Sequence, residues 1–422
     1  MEEYFDELDT HSDNARERKL FDCLPEFLHQ AVADCHGLAK HLNGSNFDAV
    51  TSREALSTLP VLRKTELMQA QQAHPPFGGF VRPEALTGTR VFMSPGPVWE
   101  PQVGGIDPWQ SARPLHAAGF RSGDTVHNAF SYHLTPGGFI LDEGATALGC
   151  NVFPAGIGNT EAQVAAMHHF SPVGFIGTPD YLKVILDAAD ESGQSIKGLK
   201  RALVSGGALF PSLREHYEQL GIITRQCYAT ADLGVVAYET DANNECVPGM
   251  MVNEGLIVEI VRPGTGEPVA AGDVGEMVVT RQHRDYPLVR FATGDMSRFL
   301  LEPSPCGRTA PRIAGWLGRA DQRTKVKGMF VDPGQIDAVF AVDERIRRVR
   351  LNVSRQSESD QATVNVQFGE DNAVQVLNDE GLKASIADAF RAATGLGAEV
   401  VFVDKALPND GVLIQDERDY EG

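Results

Sequence analysis

The chain has no apolar run long enough to cross a bilayer as a helix, so no membrane-spanning helix is predicted. Its first twenty residues, MEEYFDELDTHSDNARERKL, are polar and acidic, so no secretory signal is expected there. Cysteine is sparse: six residues at 23, 35, 150, 227, 246 and 306, with no CxxC pair. That spacing argues against a disulfide framework and for free thiols in a reducing compartment, so a cytoplasmic location is expected. Positive charge is in short supply. With 37 Lys and Arg against 57 Asp and Glu, the formal net charge is −20. Such a balance opposes partners that are themselves polyanions, so neither nucleic acid nor an anionic membrane is an expected partner. A phosphate-bearing ligand would need a local positive spot within this field. Internal repeats and low-complexity tracts are also missing, which excludes a solenoid.

What is present is an ordinary globular composition over 422 residues, enough for two or three domains. Apolar strand-like runs begin near residues 123, 151, 173 and 201, each followed by a Gly-rich turn and a helical pattern. This alternation predicts an α/β domain built on a parallel sheet. Residues 256–261 and 275–280 read as hairpin strands and predict a small β subdomain packed on it. Beyond residue 320, strand patterns at 349–353, 363–368 and 399–403 flank a helix over 377–392, a small α+β domain. The predicted division is 1–319 and 320–422. Local expectations are one amphipathic helix over 26–42, a helix over 106–118, and Thr160 as a helix N-cap.

The chemistry concentrates in a few turns. Residues 287–291, PLVRF, run as a buried strand into Thr293-Gly294-Asp295, read as a tight turn. An Asp at a strand end, with its carboxylate free, suits a ribose diol, which needs one bidentate acceptor. Ser205-Gly206-Gly207-Ala208 follows an apolar strand and leaves a flat slot of the kind an adenine needs. Tyr228-Ala229-Thr230 follows the next strand; the tyrosine offers a π-face for a base. Asp232 offers a hard oxygen for Mg²⁺ bridging phosphates, or else an N-cap for whatever helix follows. Ser94 and Gly96 lie in SPGPVWEP, a phosphate-cradling loop or a rigid structural turn, in which Pro95 and Pro97 remove two N–H donors. Gly318-Arg319-Ala320-Asp321 reads as a charged hinge at the change of composition.

The pairing of TGD with GRAD and KVKG, together with PFGG, GNTE, PLVRF and GMFVDP, resembles the adenylate-forming superfamily of acyl-CoA synthetases, nearest the phenylacetate-CoA ligase branch. The resemblance covers nearly the whole chain. It implies a large α/β core with a mobile C-terminal lid that turns about Asp321. It implies ATP, Mg²⁺ and coenzyme A as cofactors and a small carboxylic acid as substrate, with a homodimer as an open option. The activity implied is AMP-forming ligation of an aryl or arylalkyl carboxylic acid to coenzyme A. By the same resemblance, Tyr132, His133 and Gly207 shape the acyl pocket, and Arg319 contacts ribose or phosphate; the alternative for Tyr132 and His133 is a pair that satisfy each other. The sequence departs from the pattern in three places: Glu100 stands where a loop lysine is usual, Ala229 and Asp232 replace Gly and Glu, and Val412 stands at the usual lid lysine. Lys405, on the same segment, is seven residues away. These departures keep two other readings open: a degenerate member that binds nucleotide, acyl-adenylate or CoA ester, and an acyltransferase confined to the second half reaction. Some relatives carry a structural zinc. Here Cys246 and Cys306 remain, with Met251 and Ser304 in place of further ligands, so no zinc is expected.

Overall fold

Contacts divide the chain into two units, Met1–Trp316 and Leu317–Gly422. In the computed structural model, the residues described are 4–94, 97–243, 245–320, 322, 324–356, 359–369, 379–403, 407–408 and 412–418. Gly96 and Asp321 from the expected site, and Lys405, lie outside them.

The alternation of apolar runs and helical patterns builds the main sheet of the first unit. Its strands lie in the order Phe299–Leu300, Arg312–Ile313, Met250–Val252, Gly234–Tyr238, Ile223–Thr230, Arg201–Val204, Gly174–Gly177, Thr125–Asn128 and Asn151–Pro154. From Ile223–Thr230 to Asn151–Pro154 every pairing is parallel. Such strands are covered on both faces, and Gly174–Gly177 is buried at every residue. Helices Gly137–Ala147, Thr160–Phe170, Pro179–Glu191 and Pro211–Gln219 fall between them; two open on Pro at N1, where a missing N–H costs nothing. The α/β class read from the sequence is the class observed.

A second sheet supplies the β subdomain: Leu62–Arg63, Leu288–Ser297, Gly275–Arg281 and Leu256–Val261, in that order. Here the expected tight turn after PLVRF is corrected. Leu288–Ser297 is one strand, and Thr293-Gly294-Asp295 is a bulge within it. Val278 faces Ala292 and Glu276 faces Met296, so two extra residues are looped out, with Gly294 at φ +74°. The bulge re-aims Asp295 without ending the strand.

Other local expectations are corrected by tertiary contacts. The single helix over 26–42 is two, Leu24–Asp34 and His36–His41, broken at Cys35. The Gly37 amide donates to Gly79 O at 2.9 Å, and a Cβ at Gly37 would meet Gly78 O at 2.2 Å. The break lets one segment lie against the other, while Leu24, Leu28 and Leu38 stay fully buried. Each such side chain contributes about 1.5–3 kcal/mol by leaving water. The helix expected over 106–118 is confined to Ala112–Ala117, because the Asp107 carboxylate binds the Ser111 and Ala112 amides at 2.8 and 2.9 Å. Asn159, not Thr160, is the cap residue of Thr160–Phe170.

In the second unit, Ile346–Gln356 pairs antiparallel with Ser359–Phe368, and Glu399–Phe402 and Ile414–Asp416 add parallel strands on either side. The helix Glu380–Thr394 packs on this sheet through buried Ile386 and Phe390.

Candidate active site

The strands Arg201–Val204 and Ile223–Thr230 run parallel, so the segments beyond their carboxyl ends lie side by side. Ligands in such sheets bind beyond these ends. Ser205 is buried and donates its hydroxyl to Cys227 O at 2.7 Å; Gln226 Nε2 donates to Gly207 O at 2.9 Å. These bonds tie residues 205–207 to the neighbouring strand. Gly206 is exposed at φ +72°, and Gly207 and Ala208 are half-buried beside it. Ala229 and Thr230 are half-buried at the end of their strand, where Thr230 Oγ1 accepts the Leu233 amide at 3.2 Å.

Tyr228 and Asp295 come from different sheets and meet. The Tyr228 hydroxyl donates to Asp295 Oδ2 at 2.6 Å, and Trp316 Nε1 donates to Oδ1 at 2.9 Å. The expected free carboxylate is thus corrected: Asp295 is 7% exposed and held by two donors. The bulge adds a third restraint, since the Asp295 amide donates to Thr293 Oγ1 at 3.1 Å. Each carboxylate oxygen can accept more than one donor, so the pair remains able to receive a diol. Trp316 was not singled out in the sequence. Its position just before the change of composition was the available signal.

A second cluster surrounds Asp232. Strand Val91–Ser94 pairs antiparallel with Val98–Pro101, which carries Glu100. Ser94 Oγ donates to Glu100 Oε1 at 3.0 Å. Lys64 Nζ donates to Asp232 Oδ2 at 3.2 Å. Glu100 and Asp232 are 1% and 2% exposed. They lie within hydrogen-bonding reach of each other, yet among the described residues no donor reaches Glu100 Oε2 or Asp232 Oδ1. Burial, and then the charge of Asp232, push the Glu100 carboxyl well above the usual carboxylate range. Glu100 therefore keeps a proton that can bridge the two acids. Burial, then these same two acids, push up the buried Tyr286 hydroxyl. Asp232 sits between strands and not at a helix start, so it is no N-cap. Sequence reading passed over Lys64. One signal existed: a lysine opening the helix Lys64–Ala73, where the helix dipole disfavours a cation.

Tyr132 and His133 follow Thr125–Asn128, two strands from Arg201–Val204 in the sheet order. Tyr132 is anchored in the framework: its hydroxyl donates to Asp142 Oδ2 at 2.6 Å and accepts from Asn128 Nδ2 at 2.8 Å. Burial and then Asp142 push its pKa up. His133 is exposed. Arg319 opens the second unit and is half-buried there.

For metals, no group of three or more His, Cys, Asp and Glu side chains gathers among the described residues. Cys246 lies against the Arg214 guanidinium at 3.7 Å, and Cys306 against the Ser304 and Thr240 hydroxyls at 3.0 and 3.4 Å. Mg²⁺ makes a different demand, since it keeps waters and substrate phosphates and uses one or two carboxylates. Asp232 Oδ1, which among the described residues faces no donor other than the Glu100 proton, is the oxygen that fits that demand.

No helix of the described residues is long and apolar enough to cross a membrane. The AMP-binding enzyme family matches residues 117–283. The phenylacetate-coenzyme A ligase of Thermus thermophilus is 32% identical over 351 residues, covering 78% of this chain and 77% of the relative. That of Pseudomonas putida is 30% identical over 337 residues, 77% of this chain and 75% of the relative. Among solved structures, 2-hydroxyisobutyryl-CoA ligase in complex with 2-HIB-AMP and CoA, in its thioesterification state, aligns with a TM-score of 0.77. It covers 99% of this chain and 93% of that one at 24% identity, a likeness of fold. The same ligase in an open conformation aligns with a TM-score of 0.72 at 23% identity. The fold, the nucleotide-suited turns and the identity to these relatives together place the chain in the phenylacetate-coenzyme A ligase family of AMP-binding enzymes.

Proposed function

We propose that this chain is an AMP-forming ligase that activates an aryl or arylalkyl carboxylic acid with ATP and passes it to coenzyme A. The observation that carries the reading is the Asp295 carboxylate, buried and fixed by Tyr228 and Trp316, in a chain whose relatives bear that ligase's name. Asp295 receives the ribose hydroxyls, and the slot at Ser205, Gly206, Gly207 and Ala208 takes the base beside Tyr228, Ala229 and Thr230. Gly207, Tyr132 and His133 border the acid, with Tyr132 acting as a wall because its hydroxyl is already bonded.

In the first half reaction a carboxylate oxygen bonds to the α-phosphorus, and the bond from that phosphorus to the bridging oxygen breaks, releasing pyrophosphate. In the second, the thiolate of coenzyme A bonds to the acyl carbon and AMP leaves, so a proton is released from the thiol. Asp232 would hold Mg²⁺ through Oδ1, and the ion would offset charge building on the phosphates. Ser94 borders the same space, and by the family resemblance Arg319 is the residue that would meet ribose or phosphate. Asp321 serves as the hinge of a gating motion. Cytoplasmic location and a homodimer belong to the same reading.

The buried Glu100 supports a second reading. A protonated acid beside Ser94 offers polyphosphate no cation, and Val412 brings none at its own position. A chain confined to the thioester step, or to binding the acyl-adenylate, needs neither.

Incubation with ATP, Mg²⁺ and a panel of aryl acids, with hydroxylamine as trap, separates the readings. Hydroxamate with any acid supports the ligase. Silence with retained ATP binding by calorimetry supports the binder. Thioester exchange without ATP supports the transferase. Loss of all nucleotide binding overturns the ligase and the nucleotide binder, and loss of thioester exchange as well overturns the transferase.

A further inference from the structure

Two buried acids, Glu100 and Asp232, flank the strands suited to phosphate. A polyphosphate could approach them only with a cation at hand. Lys64 and Arg281 both touch this cluster. Arg281 is 4% exposed and directs its guanidinium to backbone carbonyls, those of Asp232 at 3.4 Å and of Pro108. Burial lowers its pKa to about 10. It is locked in the framework. Lys64 differs. Its side chain is 30% exposed, and its ammonium sits 3.2 Å from Asp232 Oδ2. It joins the acid to solvent.

The helix that carries Lys64 also holds the neighbouring strand. Gln71 lies seven residues on, two turns along the same face. Its amide brackets the backbone of Trp99: Nε2 donates to Trp99 O at 2.7 Å, and Oε1 accepts the Trp99 amide at 2.9 Å. Trp99 precedes Glu100 on its strand. The helix thus sets the distance between its own first residue and the strand bearing Glu100. Strand Leu62–Arg63, just before it, pairs with Phe291 and Ala292 of the strand that bears Asp295. One short segment therefore registers a lysine against both clusters of the site.

We propose that Lys64 is the phosphate-binding cation of this chain, taking the β- and γ-phosphates of a nucleoside triphosphate in exchange for Asp232 Oδ2. The exchange frees that carboxylate as the anionic ligand arrives, and a Mg²⁺ accompanying the triphosphate would offset it. A flexible ammonium with three donors suits such a change of partner. The proposal rests on the reading that the chain binds ATP.

Calorimetry on the full chain tests it, with ATP and AMP, each with Mg²⁺, titrated into the wild type, Lys64→Met and Lys64→Gln. The glutamine variant keeps a donor for Asp232 without the charge, so it guards against a variant that fails to fold. ATP affinity is expected to fall about 10–100-fold in both variants, the range of one charge-assisted bond, with AMP affinity within about twofold. Equal weakening of ATP and AMP would make Lys64 a structural brace and overturn the proposal. So would unchanged ATP affinity. A wild type that binds neither nucleotide defeats the ligase reading itself, a distinct result.

Discussion

Replacing Glu100 with glutamine should stabilise the first unit, and the gain should grow with pH. Glu100 Oε2 and Asp232 Oδ1 are buried with no donor between them other than a proton on Glu100. When that proton leaves, two unbonded acceptors face each other, a loss of about 1–3 kcal/mol. The side-chain amide of the Glu100→Gln variant would supply a permanent N–H to Asp232. The direction in pH follows from linkage. An unfolded glutamate releases its proton near 4.5, while folded Glu100 keeps its proton well above that. Between the two values the folded state binds more protons, so wild-type stability falls as pH rises through the window. Glutamine does not titrate. The variant and wild type should be nearly equal at about pH 4 and diverge as pH rises towards the folded Glu100 pKa, the glutamine form becoming more stable by about 1–3 kcal/mol. Trp99, Trp109 and Trp316, all the tryptophans of the chain, belong to the first unit, so their emission in urea reports its unfolding. A stability difference that stays flat with pH, or a variant less stable at the alkaline end, would refute the shared proton.

Asp295→Asn removes the charge that receives the diol, and AMP affinity by calorimetry should fall about 10–100-fold. Arg290→Met removes the guanidinium that binds both Glu259 oxygens at 3.0 Å and the carbonyls of Ser57 and Gly266 at 2.8 and 2.7 Å. Glu259 would be left buried and unpaired, a loss of about 3–5 kcal/mol in urea unfolding. Val412→Lys returns a cation to the lid and should raise adenylate formation by about 10-fold or more in the hydroxylamine trap. Unchanged hydroxamate would show that residue 412 does not face the reacting phosphate.

Local patterns carried most of the architecture. The alternation along residues 123–230 was enough to predict a parallel sheet, because burial on both faces demands continuous apolar runs and the connecting helices demand their own period. Asp295 stood out because it follows a Thr-Gly turn signal at the end of an apolar run. That Tyr228 and Trp316 would be the donors holding it did not stand out. Tyr228 lies 67 residues from Asp295, and Lys64 lies 168 residues from Asp232. Such meetings depend on which strands become neighbours, and no periodicity records that. The same holds for Cys35, where a helical pattern ran on but the backbone of Gly79 broke it. Glu100 could be read from the chain as a misplaced charge. Only packing made it a buried partner of Asp232, since burial is what makes ionising a second carboxylate so unfavourable. Sequence alone therefore determined the elements and the kind of ligand they suit. The folded chain decided which acids are charged, which cation answers them, and which donors keep the carboxylate of Asp295 in place.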